Sequence, residues 1–338
     1  MAALSAAPKV RSAVISYIIR RMIYALPLLL GINILTFVLF FIVNTPEDMA
    51  RMHLGQKHVT SEAILKWKHE RGYDQPLFWN AGADGPGQIT QTIFYQKSLG
   101  LMLFRFGRSD DGRDIGADIR QRMWPSLAIA VPSLVIGLAV HITLALLLVF
   151  FRMTYLESWG VALCVALMSV STLFYIIGGQ YVLGKLLLLT PISGYGDGLE
   201  AWRFIVLPVM IAVVAGIGSG VRWYRTLFLE EVERDYVRTA RAKGLSETRV
   251  LFRHVLKNAM IPILTGVVVV LPLLFTGSLI TESFFAIPGL GSYTIDAINQ
   301  QDFAIVRSMV FLGSVLYILG LLLTDLSYTL VDPRVKLA

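Results

Sequence analysis

Asp235-Tyr-Val-Arg-Thr-Ala-Arg-Ala-Lys-Gly-Leu245 is a polar island between two apolar runs, 204–221 and 258–281, neither of which contains a charged residue. Each run is long enough to cross a hydrocarbon core at ~1.5 Å per residue. The segment that holds the island, 222–258, carries nine Lys/Arg and five Asp/Glu. A charged, amphipathic connection of that length between two membrane spans predicts a docking surface on one membrane face.

The rest of the chain is built around the same alternation. It has 338 residues, is 55% hydrophobic and only 16% charged, against ~25% in ordinary soluble domains. Six spans are expected, at 22–43, 125–151, 159–183, 204–221, 260–281 and 308–330. The first follows Arg20-Arg21, and no small-residue cleavage site follows it, so it reads as a retained span rather than a signal. The net charge of +7 is concentrated in particular loops, which argues against nucleic acid as the partner.

Orientation follows from Lys and Arg in the short loops. The N-terminal tail has Lys9, Arg11, Arg20 and Arg21 and no acid, which predicts a cytoplasmic N-terminus. Six crossings return the C-terminus to the same side. Loop 222–258 then falls inside with net charge +4, and 282–307 falls outside with Glu282, Asp296 and Asp302 against Arg307. Asp325, near the inner end of the sixth span, calls for water or a basic partner.

Residues 44–124, between spans one and two, carry 11 Lys/Arg and 10 Asp/Glu. A long, nearly neutral outside segment escapes the charge rule. It reads as a small extracytoplasmic module. Ser61 is the expected cap of a helix over 61–70, and Asn80–Gly87 and Phe104–Arg113 are loops.

Several chemistries lack their residues. Cys164 stands alone in an apolar run and reads as a buried thiol. His53, His58, His69, His141 and His254 show no metal-ligand spacing. Gly179-Gln-Tyr-Val-Leu-Gly-Lys185 matches a phosphate-loop pattern, but Leu186 stands where the Mg²⁺-holding hydroxyl belongs and no strand precedes it. It reads as a span end. No nucleophile has a base at a recognisable spacing, so no enzyme is expected. His141 lies within a span. It is a candidate for a translocation path, with packing or hydrogen bonding as the alternative. Pro132, Pro208 and Pro272 fall in or near spans, and Ala215-Gly-Ile-Gly-Ser-Gly220 predicts close helix contacts.

Within the polar island, Asp235 is the expected cap of a helix beginning at Tyr236. Gly244 is placed to end it in a left-handed conformation. Lys243 suits the C-terminal end of the dipole. Ser246 is expected to cap a second helix leading into span five. Arg238, Arg241 and Lys243 alternate with Thr239, Ala240 and Ala242, small residues that admit a close partner.

These residues carry a resemblance. Arg238-Thr-Ala-Arg-Ala-Lys-Gly-Leu245, followed by His254-Val-Leu-Lys-Asn-Ala-Met-Ile-Pro262, resembles the E-A-A loop of ABC importer permeases, most closely the peptide/nickel branch. Arg238, Thr239 and Ala240 stand at the E-A-A positions and Gly244 at the glycine. Tyr17-Ile-Ile-Arg-Arg-Met22, Gly277–Gly291 and Val331-Asp-Pro-Arg334 resemble other parts of the same branch, in its B-type subunit. Asn44-Thr-Pro-Glu-Asp48 departs from a P-G-D-P-like turn.

The resemblance implies an all-α polytopic protein with the type I ABC importer (MetI-like) permease fold and an extracytoplasmic insertion after the first helix. Its parts would be a tail and first helix (1–43), the insertion (44–124), a transmembrane domain (125–331) and a cytoplasmic tail (332–338). It implies a bacterial inner-membrane location and half of a transport pathway. The partners would be a second, C-type permease, one or two ATP-binding cassette subunits that bind ATP and Mg, and an extracytoplasmic peptide-binding protein. Nickel chelates, opines and glycans are alternative cargoes within the branch. From another class, a secondary transporter or channel would show inverted repeats or intramembrane acid pairs, and neither is evident.

Overall fold

The computed structural model describes residues 7–55, 59–196 and 198–331. His58 and the stretch 332–338, with its Asp332-Pro-Arg334 motif, lie outside the described residues. Among the described residues the architecture is helical, with a single isolated extended bridge between Arg108 and Asp114. Among the described residues, five helices are long and apolar enough to cross a membrane: Arg20–Val43, Ile115–Phe150, Ala201–Val232, Glu247–Phe284 and Phe303–Ser327. Their apolar side chains stay largely uncovered by protein, as in Leu35, Trp124 and Trp223. That is what lipid as a solvent allows.

At the expected span 159–183 the structure has a bent pair of helices. Tyr155–Met168 and Thr172–Leu186 meet at 88°. Short hydroxyl side chains make the elbow by competing for backbone partners. Ser169 Oγ donates to the Val165 carbonyl at 2.9 Å, and Ser171, in extended conformation, accepts the Leu173 N–H at 3.4 Å and starts the second arm. The Tyr175 hydroxyl braces the bend on the Leu167 carbonyl at 2.8 Å. Gly179–Lys185 lies in the second arm, where Gln180–Leu186 is a π-helical turn, and Lys185 sits over the Tyr181 ring. Pro132 and Pro208 lie inside long helices, whereas Pro272 opens a 3-10 turn, Pro272–Thr276, ended by Gly277 at φ 73°.

The chain divides into two compact units, one comprising 1–123 with 293–338 and the other 124–292. In the first, Phe37, Phe41, Met49, Ile64, Trp67 and Tyr73 form a buried core, so the segment after the first span packs on the end of that span. The stretch Asn44–Asp48 forms the start of a helix, Pro46–Leu54, through a reciprocal box between Thr45 and Asp48, with Pro46 in the first turn where its missing N–H is harmless. The next helix is Ser61–Glu70, and its cap is Thr60, which accepts the Ala63 N–H at 3.3 Å, one residue before the expected Ser61. Asp302 accepts backbone N–H groups from Asp110, Ala304 and Ile305, which both starts the last helix and pins the turn near Ser109. Arg21 and Asp325 form an ion pair at 3.0 Å. Asp325 therefore has the basic partner it required, and the start of the first span meets the end of the last.

The second unit has two buried clusters. One gathers Ile129, Ile176, Leu207, Ile211, Phe285 and Ile287. The other gathers Val149, Cys164, Phe228, Val232 and the residues of the polar island's inner face. Gly218 allows Ala201–Val232 and Tyr155–Met168 to meet, because a Cβ there would stand 2.5 Å from the Cys164 carbonyl oxygen. Cys164 is buried, as expected.

Candidate coupling site

The polar island forms a short helix, Asp235–Ala242, between two membrane-length helices. Its start is corrected by one residue. Arg234 is the extended residue at the cap, without a side-chain cap bond, and Asp235 is the first helical residue. A carboxylate in the first turn still favours the helix dipole. Asp235 also faces Arg238 at 3.7 Å, though both are highly exposed, so the pair contributes little. Thr239 Oγ1 bonds back to the Asp235 carbonyl at 2.9 Å.

The C-terminal end matches the expectation closely. Gly244 has φ 78°. Its N–H bonds the Arg241 carbonyl at 2.9 Å, and the Leu245 N–H bonds the Ala240 carbonyl at 3.4 Å. This is the six-to-one, five-to-two pattern of a Schellman turn, which needs a left-handed residue at the glycine position. Half-buried Leu245 packs on the cluster containing Ala240, supplying the apolar contact that accompanies such turns.

Two faces separate. Val237 and Ala240 are buried at 0% and 4% exposure, in one cluster with Val250, Leu251 and Val255. Ala240 thus belongs to the inner face and not to the surface offered to a partner. The expectation that small Ala240 admits a partner is replaced by a packing reason: it lets the helix lie on its own chain. Asp235, Arg238, Thr239, Ala242, Lys243 and Gly244 are exposed. They form the outward face.

Arg241 is not free either. Its Nε and Nη2 donate to the two Glu247 oxygens at 3.0 and 2.7 Å. This fork ties the short helix to the next one and adds orientation as well as energy. Ser246 stands at the cap of that next helix, Glu247–Val250, but its side chain makes no cap bond. The helix continues through a π-helical turn, Leu251–Val255, into Leu256–Val270. The Tyr236 hydroxyl donates to Glu231, and its pKa is pushed up to about 12, first by burial and then by that bond. Arg225 pairs with Glu157, so the loop after the second span is held to the base of the same helix pair. Sequence reasoning missed Glu231, Glu247 and Glu157, because a carboxylate's partner is a matter of tertiary geometry.

His141 is placed apart from this loop. Its Nε2 lies 3.0 Å from the Val213 carbonyl oxygen, and the ring fills a notch made by Gly216 and Gly220. A Cβ on Gly220 would stand 2.4 Å from Nδ1. Glycines spaced by four on one helix face thus make room for an imidazole from its neighbour. No group of three or more His, Cys, Asp or Glu able to hold a metal occurs among the described residues.

Residues 122–337 match the family described as the inner membrane component of binding-protein-dependent transport systems, and residues 14–81 match the N-terminal part of that component. Among curated relatives, the di/tripeptide transport system permease protein of Pseudomonas aeruginosa is 30% identical over 341 residues, covering 95% of this chain and 99% of the relative. The glutathione transport system permease protein of Salmonella typhimurium is 27% identical over 329 residues, with the same coverage. A putative peptide transport system permease protein of Brucella abortus is 30% identical, covering 94% and 98%. The chain belongs to the family of binding-protein-dependent transport system inner membrane components.

Proposed function

We propose that this chain is the permease subunit of an ATP-driven importer for peptides of the dipeptide or oligopeptide class, and that it forms half of the translocation pathway. The observation that carries this reading is the loop helix Asp235–Ala242. Its buried face is spent on its own chain, its end is fixed by Gly244, and its outward face is free for a partner. ATP and Mg would be bound by one or two separate ATPase subunits docked on Arg238, Thr239, Ala242 and Lys243. A second, C-type permease would complete the pathway, and an extracytoplasmic peptide-binding protein would deliver cargo. The named transport roles of the relatives support a peptide cargo.

The proposed location is the bacterial inner membrane with both termini cytoplasmic. The Arg21–Asp325 pair supports a shared side for the start of the first helix and the end of the last, and the basic loop 222–258 supports a cytoplasmic one. The proposed parts are a tail and first helix (1–43), an extracytoplasmic segment (44–124), a transmembrane domain (125–331) and a tail (332–338). His141, inside a membrane-length helix and half-buried, is the proposed pathway residue.

The test is affinity purification of the chain from its native membrane together with peptide uptake by the same cells. Co-purification of an ATP-binding cassette subunit, and uptake that stops when ATP is depleted, are expected. Uptake driven by an ion gradient with no ATPase retained would make the protein a secondary transporter. Sidedness is read separately with single cysteines, since native Cys164 is buried. Cysteines replacing exposed Gly85 and Asn299 should label from outside sealed cells, and one replacing Ser246 should not.

A further inference from the structure

The first compact unit holds a cavity of about 500 Å³ that the transport reading does not use. Five cationic side chains line it, Arg71, Lys97, Arg105, Arg108 and Arg307, against two acids, Glu70 and Asp110. The acids are already committed. Arg71 bonds Asp110 at 2.8 Å, lies 3.9 Å from Glu70, and stacks over the Trp67 ring.

Arg307 is the group that needs explaining. It is 5% exposed. Its Nε donates to the Phe303 carbonyl at 3.2 Å and its guanidinium lies over the Phe41 ring at 4.7 Å. Its Nη1 is buried without a hydrogen-bond partner, and among the described residues it forms no ion pair. A buried cation with an unused donor is costly unless something anionic satisfies it. Lys97 faces the same cavity, half-buried, with no carboxylate partner among the described residues. Burial and the Arg307 charge both hold its pKa down, so two like charges share one space. Arg105 and Arg108 stand at the exposed rim, with no ion pair among the described residues. Tyr73 adds a phenol to the wall, and burial keeps it protonated and able to donate.

We propose that this cavity binds a small molecule or headgroup bearing a compact oxyanion, a carboxylate or a phosphate, received by Arg307 and Lys97. The planar guanidinium offers a fork that matches two oxygens, and the ammonium adds a mobile point charge. Arg105 and Arg108 at the rim would draw the anion in, an effect that salt screens. The cavity is larger than a bare phosphate, so the rest of the ligand has room beside its charged end. Two sources share this chemistry: a free small anion and the phosphate of an anionic lipid.

The test uses the full-length chain in nanodiscs of net-neutral phosphatidylcholine, titrated calorimetrically with inorganic phosphate and with acetate. Saturable binding of one anion is expected, weakening as chloride rises. Lys97→Gln should weaken it about tenfold, the loss of one charge-assisted hydrogen bond. Arg307→Met should abolish it. Because Arg307 is buried, the thermal transition of each variant is read as well, and half-exposed Lys97→Gln decides the case if Arg307→Met does not fold. A second arm adds phosphatidylglycerol to the nanodiscs and reads retained lipid by native mass spectrometry. Lipid held by the native chain and lost from Lys97→Gln, with no binding of free anions, identifies the lipid source. Absence of both signals, or binding that neither variant changes, overturns the proposal. Failure here leaves the transport reading standing, since ATPase capture does not involve this cavity.

Discussion

Replacing Gly244 by valine should uncouple the protein without unfolding it. The residue sits at φ 78°, where a side chain bearing a Cβ is strained by roughly 1–2 kcal/mol and a β-branched one is an outlier. There is no steric clash to add, because a Cβ at this position meets nothing within 4 Å. The alternative to strain is unwinding the turn, which gives up the bonds from the Gly244 and Leu245 N–H groups at about 0.5–1.5 kcal/mol each. The two bonds together are worth about 1–3 kcal/mol, so strain at roughly 1–2 kcal/mol is the cheaper route, a factor of about 5–30 in the ratio of formed to unwound turn. Apparent affinity for a docked partner falls by up to that factor. The assay is capture of the ATPase subunit from membranes, alongside peptide uptake and the level of permease in the membrane. Gly244→Val should leave the level near normal and lower both other signals. Gly244→Asn should retain most of both, since asparagine tolerates the left-handed region through its short polar side chain. Equal damage from Asn and Val would show that side-chain volume matters and not backbone conformation. Native signals in both would show that the loop is a solvated connector.

Gly220→Ala should destabilise the second unit because its Cβ would stand 2.4 Å from the His141 ring, and His141→Ala in the same chain should recover much of that loss in thermal unfolding. Ala240→Trp should lower stability by about 1–3 kcal/mol through overpacking of a 4%-exposed site, read as loss of folded protein, whereas Ala242→Trp on the exposed face should spare folding and block ATPase capture. Glu282 accepts the N–H groups of Ser278, Gly291 and Ser292, so Glu282→Ala should strand two buried donors and one half-buried one and cost about 1–3 kcal/mol or more, with Glu282→Gln milder. His69 bonds Asp74 at 2.7 Å, and that bond raises the His69 pKa and lowers that of Asp74. The imidazolium's contribution is full below the unfolded His value and is lost as pH rises through the raised folded one. The carboxylate's is present above the unfolded Asp value and lost as pH falls through the depressed one. An NMR titration of His69 should move back toward the ordinary histidine value in Asp74→Asn, and an unmoved titration would refute the pairing.

The long apolar helices and the short loop helix were legible in the sequence because both are local signals. A run of apolar residues is long enough to cross a membrane whatever surrounds it, and Gly244 after the short helix Asp235–Ala242 marks a left-handed stop by its own backbone freedom. What surrounds those signals was settled by packing. The bend at Ser169–Ser171 hides inside an apolar run, since two hydroxyls barely change mean hydropathy yet redirect the backbone. The difference between Ala240, buried, and Ala242, exposed, depends on which helix face finds Val250 and Val255. Arg241 and Arg238 are the same residue type three positions apart. Only the tertiary structure brings Glu247 to one and leaves the other turned outward, because a charge takes its role from the partner the fold delivers within a few ångströms.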